Sequence, residues 1–153
     1  MIQFNLNLSD KIIDYDKHWE FGVGSCHAAL ALREDYRRQL VEVQRQLGFK
    51  YLRFHGLFDD DMSSSEYLLS FVNIDNIYDF LLSVGMKPFV EIGFMPECLK
   101  SGNETIFHYK ANITPPRDKA LWVWFIKEFI KHLIDRYGRE EVRTWYFEIW
   151  NEP

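Results

Sequence analysis

Apolar and polar positions follow one repeating unit along the chain: a short apolar run, a loop, then a stretch with helical periodicity. The first run is Phe21–Cys26, broken by Gly22 and Gly24. Behind it Leu32, Tyr36, Leu40, Val43 and Leu47 recur at intervals of four, four, three and four, and Gly48 stands where a left-handed cap would end that helix. The second run is Lys50–His55. A polar stretch, Asp59–Ser65, separates it from a helix predicted over Asn73–Val84, with Ile74, Ile77, Tyr78, Leu81 and Leu82 as its stripe and Gly85 as its stop. The third run, Pro88–Gly93, leads into a long loop, Phe94–Pro116, that holds three of the five prolines. Long loops inside compact domains are usually functional. The clearest helix is predicted over Asp118–Tyr137, with a stripe of Leu121, Trp122, Phe125, Ile126, Phe129, Ile130, Leu133, Ile134 and Tyr137 before Gly138. The fourth run is Arg143–Trp150, followed by Asn151, Glu152 and Pro153.

This alternation predicts an α/β fold of four parallel strands and three helices. The runs read as apolar on both faces, as in a sheet covered on both sides. No helix follows the fourth strand. A doubly wound sheet could stop there, whereas a complete (β/α)8 barrel of about 250 residues could not.

Composition narrows the classes. A chain of 153 residues with 47% hydrophobic and 27% charged residues is one globular domain and excludes disorder. Aromatics at 17% suit a flat-ligand site and a packed core equally. A net charge of −5 without a Lys/Arg block argues against nucleic acid or an anionic membrane as partner. No apolar run approaches the length of a membrane span, and the start, with Asp10, Asp14 and Asp16, lacks the apolar core of a signal peptide. Cys26 and Cys98 belong to no ligand pattern, so the expectation is free thiols, a cytoplasmic location, and neither metal nor cofactor.

Candidate chemistry concentrates in Phe147–Pro153. A carboxylate just past a buried strand sits where α/β sheets and barrels place active sites. Glu152, beside Trp150, would have a pKa raised toward that of a general acid, and Asn151 could both donate to and accept from a sugar hydroxyl. Glu148 and Trp150 share the face of Glu152 at period two. A plainer reading makes Glu152 the cap of a following helix. Glu91, the other acid deep in a strand pattern, could pair with Glu152, but reads better as a buried structural carboxylate held by Arg53 or by backbone. Asp59, Asp60 and Asp61 read as a solvated loop with one capping or sugar-contacting member rather than a metal site. His18, His108 and His132 lack ligand spacing, and His132 falls on the polar, solvated side of its helix. Gly22-Val-Gly24 is too incomplete for a dinucleotide fingerprint.

With these residues in view, the ending FEIWNEP resembles the strand-four motif of retaining glycosidases built on (β/α)8 barrels. Together with FGVGSCHAALAL, GFKYLRFHGLFDDDM, IYDFLLSVGMKPFVEIGFMP and SGNETIFHYKANITPP, it makes the whole chain similar to glycoside hydrolase family 39, the β-xylosidases. The resemblance implies the first four β/α units of the barrel over residues 19–153, with residues 1–18 packing outside it. It implies Glu152 as general acid/base, Asn151 on the sugar 2-hydroxyl, His55 and Phe107 contacting the sugar, and Arg53 beneath the catalytic carboxylates. The loop between Met62 and Asn73 is shorter than the family's usual one. His27 and Cys26 lie where members vary and take no role. The substrate implied is a xylo-oligosaccharide or xyloside, cleaved at its non-reducing end with retention, which needs two carboxyls about 5–5.5 Å apart. The family's nucleophile lies on a seventh strand that these residues do not include. Three alternatives stand beside a xylosidase: a truncated, catalytically incompetent fragment or sugar-binding barrel remnant that self-associates through open barrel edges, an iduronidase-like glycosidase, and the sensor module of a sugar regulator.

Overall fold

Period-two burial identifies which side of each strand meets the helices. In the strand Tyr51–His55 (β2), Leu52 and Phe54 are buried while Tyr51, Arg53 and His55 are half-exposed. The strand Lys87–Glu91 (β3) buries Pro88 and Val90 in the same way. With Gly22–His27 (β1) and Tyr146–Glu148, these form one parallel sheet in chain order. A computed structural model describes residues 2–5, 7, 16–62 and 70–151. Strands added only at one edge, with no reversal of order, are the winding of a (β/α)8 barrel rather than of a doubly wound sheet.

Three helices cover the outer face: Glu34–Leu47 (α1), Val72–Ser83 (α2) and Lys119–Tyr137 (α3). The core lies between them and the sheet, where Ile77, Tyr78, Leu81, Phe129 and Leu133 are fully buried beside Leu52 and Val90. Phe58 meets Phe125 and Phe129 edge-on, with centroids at 4.8 and 5.1 Å. Gly48 has φ 72 and closes α1 through its N–H to Gln44 O, which is the left-handed cap the periodicity predicts. Asp118 opens α3 by accepting from the backbone N–H groups of Ala120 and Leu121.

The structure departs from the periodicity reading in five places. The inner face of the sheet is uncovered among the described residues: it carries Phe21, Tyr51, Phe89 and Tyr146 as a layer of touching rings, and Arg53, Glu91 and Glu148 as a charged layer. Among the described residues only the outer face is covered by helices. The fourth strand keeps only three of its eight expected residues, because Arg139–Val142 forms a short helix (α4) and Trp145 turns back to donate to Glu141. Phe147 on that strand and Ile149 just past it are 37% and 73% exposed. The helix predicted from Leu32 begins at Glu34, since Ala28–Leu32 is a tighter 3-10 turn. His132 is not merely solvated: its Nε2 lies 2.7 Å from Asp75 Oδ1 and ties α3 to α2.

The long loop contains a hairpin, Thr105–Ile106 (β4) against Ala111–Asn112 (β5), which makes Tyr146–Glu148 the sixth strand, β6. Much of the segment 1–18, and with it the expectation that it packs outside the barrel, lies outside the described residues. So does most of the loop between Met62 and Asn73. No described helix is long and apolar enough to cross a membrane.

Replacing Asp118 by Ala removes both cap hydrogen bonds, and urea unfolding of the variant is expected to show a loss of about 0.5–2 kcal/mol with an unchanged m-value.

Candidate active site

The C-terminal ends of β2, β3 and β6 converge on one guanidinium. Arg53 donates through Nε to Glu148 Oε2 at 2.6 Å, and through Nη2 to Glu148 Oε1 at 2.9 Å and to Asn151 Oδ1 at 2.8 Å. The same Nη2 stands 3.0 Å from Glu91 Oε2. That carboxylate oxygen also meets His55 Nδ1 at 2.7 Å. One arginine thus binds two carboxylates and an amide from neighbouring strand ends, a task suited to a planar donor fork that cannot lose its charge.

Chemistry fixes the orientation of the partners. Arginine only donates, so the oxygen of Asn151 must face it and its amide nitrogen, with both donors, turns the other way. Carboxylates accept, so His55 carries its proton on Nδ1 and leaves Nε2 as the atom for another partner. Glu91 is only 1% exposed, and burial pushes its pKa up, while His55 and Arg53 pull it down. Its Oε1 has no hydrogen-bond partner among the described residues. Glu148 is the opposite case: the paired hydrogen bonds from Arg53 hold its carboxyl below the ordinary range.

Aromatic rings form the wall above this layer. Phe107, at the tip of the β4–β5 hairpin, lies parallel to His55 with centroids 6.1 Å apart, and meets Phe94 edge-on at 6.0 Å. Trp150 closes on Phe94 at 5.6 Å. Phe107 keeps 46% of its surface exposed.

The structure therefore gathers Arg53, His55, Phe107 and Asn151 into one cluster, and adds Glu91 and Glu148 as its anionic base. Glu152 lies outside the described residues, and with it the alternative Glu91–Glu152 pair. Glu91 is held as a structural carboxylate, by Arg53 and by His55. Of the three successive acids, Asp59 and Asp61 both face His27, Asp59 from a buried position, whereas Asp60 is exposed. Sequence reasoning gave Glu148 no partner. The available signal was the matching period-two placement of Arg53 and Glu148 near the ends of parallel strands, which needs the strand order to be read.

Comparison with known proteins adds ancestry to this geometry. The model for "Glycosyl hydrolases family 39" matches residues 3–153. The chain is 52% identical to a β-xylosidase of Caldicellulosiruptor saccharolyticus over all of its own length and 33% of that protein. It is 43% identical to a β-xylosidase of Geobacillus stearothermophilus over 91% of the chain and 29% of the relative. A solved family-39 β-xylosidase of Caulobacter crescentus superposes with a TM-score of 0.86 at 40% identity, over 95% of this chain and 34% of that one. The chain thus spans about a third of the length of the relatives it matches.

The depressed pKa of Glu148 makes a signed prediction. A group ionised more easily in the folded state stabilises it above the unfolded-state pKa of about 4.3, and that contribution disappears as pH falls through the folded-state value. In Glu148→Gln, the loss of stability on acidification below about pH 5 is expected to be shallower than in the parent. Urea titrations at stepped pH measure it, and identical slopes would remove Glu148 from the acid response.

Proposed function

Because the chain belongs to glycosyl hydrolase family 39, we propose that it supplies the first half of the catalytic barrel of a retaining β-xylosidase. The reading assigns it the acid/base half of the chemistry. Glu152 protonates the glycosidic oxygen as the C–O bond breaks and the anomeric carbon bonds to a second carboxylate, which lies beyond these residues. Glu152 then takes a proton from the water that releases the sugar. The substrate is a xylo-oligosaccharide or xyloside.

The observation that carries the reading is the orientation of Asn151. With its oxygen held by Arg53, its Nδ2 group can donate to a hydroxyl, as a contact on the sugar 2-hydroxyl requires, and it directly precedes Glu152. His55 offers Nε2 to a second hydroxyl because Glu91 holds its other nitrogen. Phe107, with 46% of its surface exposed, offers apolar area to a pyranose. Arg53 and Glu91 lie beneath as the electrostatic base. Relatives at 52% and 43% identity that bear the β-xylosidase name support the choice of sugar.

Two further expectations go with the reading. The two cysteines, Cys26 and Cys98, are free, which supports a cytoplasmic location. The uncovered inner face and the exposed Phe147 and Ile149 support self-association when these 153 residues stand alone.

The test is a fusion of residues 1–153 to the C-terminal two thirds of the Caldicellulosiruptor relative. The fusion is expected to hydrolyse xylobiose, and the isolated 153 residues are expected to be inactive. Glu152→Gln should lower kcat/KM on xylobiose by about 10²–10⁴, with a smaller loss on an aryl xyloside whose leaving group needs no proton. Full xylobiose activity in that variant would dismiss Glu152 as the acid. An inert fusion beside an active relative would dismiss the chain as a working half.

A further inference from the structure

A second histidine, His27, ends β1 directly beside His55 in the sheet register. Between Gly24 and His27 the register slips, three steps on β1 standing against two on β2. A bulge of this kind re-aims the side chain that follows it. His27 is buried, with Nε2 3.2 Å from Asp59 Oδ2 and Nδ1 3.5 Å from Asp61 Oδ2, so carboxylates from the loop after β2 flank both of its nitrogens. Its ring lies flat against Tyr109, with centroids 4.1 Å apart and planes inclined by 15°.

Tyr109 belongs to the four-residue turn of the β4–β5 hairpin. It stacks in turn on Phe107 at 5.3 Å and 29°, and Phe107 stacks on His55 at 6.1 Å and 17°. Four rings therefore run from the end of β1, over the hairpin tip, to the end of β2. The backbone under that tip is strained: Phe107 has φ 63 and Lys110 φ 57, a region non-glycine residues rarely occupy. Something outside the turn must hold it, since the two flanking strands contribute only two residues each.

Gly56 shows that the histidine post is built in. At φ 71, a Cβ on this residue would sit 2.4 Å from Asp59 Oδ2 and 2.6 Å from the His27 ring. The chain gives up a side chain there so that the pair can close against the backbone.

We infer that His27 is a positioning residue: through Tyr109 it fixes the hairpin that presents Phe107 to the sugar. The inference rests on the sugar-site reading above and goes beyond it, because the His27 ring reaches Phe107 through Tyr109 of the hairpin. Without the His27 ring, the tip loses one side of its stack and Phe107 samples positions that do not face the pyranose. The chemical step, carried by Glu152, is left intact, so the cost falls on substrate binding.

The test uses the full 153-residue chain in the fusion described above, with two readouts. In steady-state kinetics on an aryl xyloside, His27→Ala and Tyr109→Ala are each expected to raise KM about five- to tenfold with kcat held within about twofold. Tyr109→Phe, which keeps the ring, should leave both constants within about twofold. Amide hydrogen exchange on the 153-residue chain reads the cause: in His27→Ala, residues 105–112 should exchange faster while α3 stays as protected as in the parent. An unchanged KM with unchanged exchange at 105–112 overturns the inference. So does faster exchange spread evenly over α3, which marks a general loss of stability. A fusion inert before any substitution counts against the proposed function alone, and the exchange experiment then decides the role of His27.

Discussion

The buried carboxylate of Glu91 sets the constraint from which the rest of the site follows. A carboxylate removed from water must be neutralised or paired, and an unpaired one costs several kcal/mol. Here it is paired twice through a single oxygen, by Arg53 and by His55. Arg53 has donors to spare, and they take Glu148 in a two-point grip and Asn151 through its oxygen. Each of these choices removes a freedom: the proton position on His55, the amide orientation of Asn151, and the position of β6 against β3. β6 spans only three residues, so the grip on Glu148 is a large share of what fixes the strand end from which Asn151 follows. Lysine at position 53 would supply a point charge but not the planar fork, and would lose the two-point grip on Glu148.

The inner face is layered by dielectric. Nearest the N-terminal ends of the strands, the rings of Phe21, Tyr51, Phe89 and Tyr146 touch across three strands and the turn before β1. Above them sits the Arg53 network, and above that the loops and the hairpin. Within the ionic layer only Glu91 is fully buried, so its contacts with Arg53 and His55 gain most from the low local dielectric. On the outer side, α1, α2 and α3 bury the alternate residues of the same strands, so one period-two pattern serves both the core and the site. The contacts linking α2 to α3, the His132–Asp75 hydrogen bond and the Arg136–Asp79 ion pair, lie on the far side of that core and act on the scaffold rather than on the site.

Much of this was legible before any coordinates. The stripes of α2 and α3, the stops at Gly48, Gly85 and Gly138, and the parallel order of the strands are local or nearest-neighbour properties, and periodicity reports those directly. Arg53, His55, Phe107 and Asn151 were found through motif resemblance, and the structure brings them together. What periodicity could not report is long-range. The grip of Arg53 on Glu148 joins residues far apart in the chain and depends on which strands are neighbours. The open inner face looked apolar in sequence because Tyr51, Phe89 and Tyr146 are apolar, whether a helix covers them or not. The β4–β5 hairpin has strands of two residues, too short for any period to register. His27 lies where family members vary, and a ring stack from β1 to a loop some eighty residues later leaves no local pattern to mark it.

The hairpin shows why the least patterned segment carries the most specific geometry. A left-handed backbone at a non-glycine residue costs about 1–3 kcal/mol and survives only where its surroundings over-determine it. Phe107 has three ring partners, His55, Phe94 and Tyr109, each contributing about 0.5–1.5 kcal/mol beyond area burial, enough to offset that strain. Below the tip, Asn112 donates to Gly102 O and its backbone carbonyl accepts from Met95 N–H, which roots the hairpin in the loop after β3. The turn is thus bound from beneath by hydrogen bonds and from the sides by rings, with part of Phe107 left exposed. Two of those rings, His55 and His27, are themselves held by carboxylates, Glu91 in one case and Asp59 with Asp61 in the other. The position of the apolar wall is therefore set by charged groups beneath it, and the two parts of the rim cannot be altered independently.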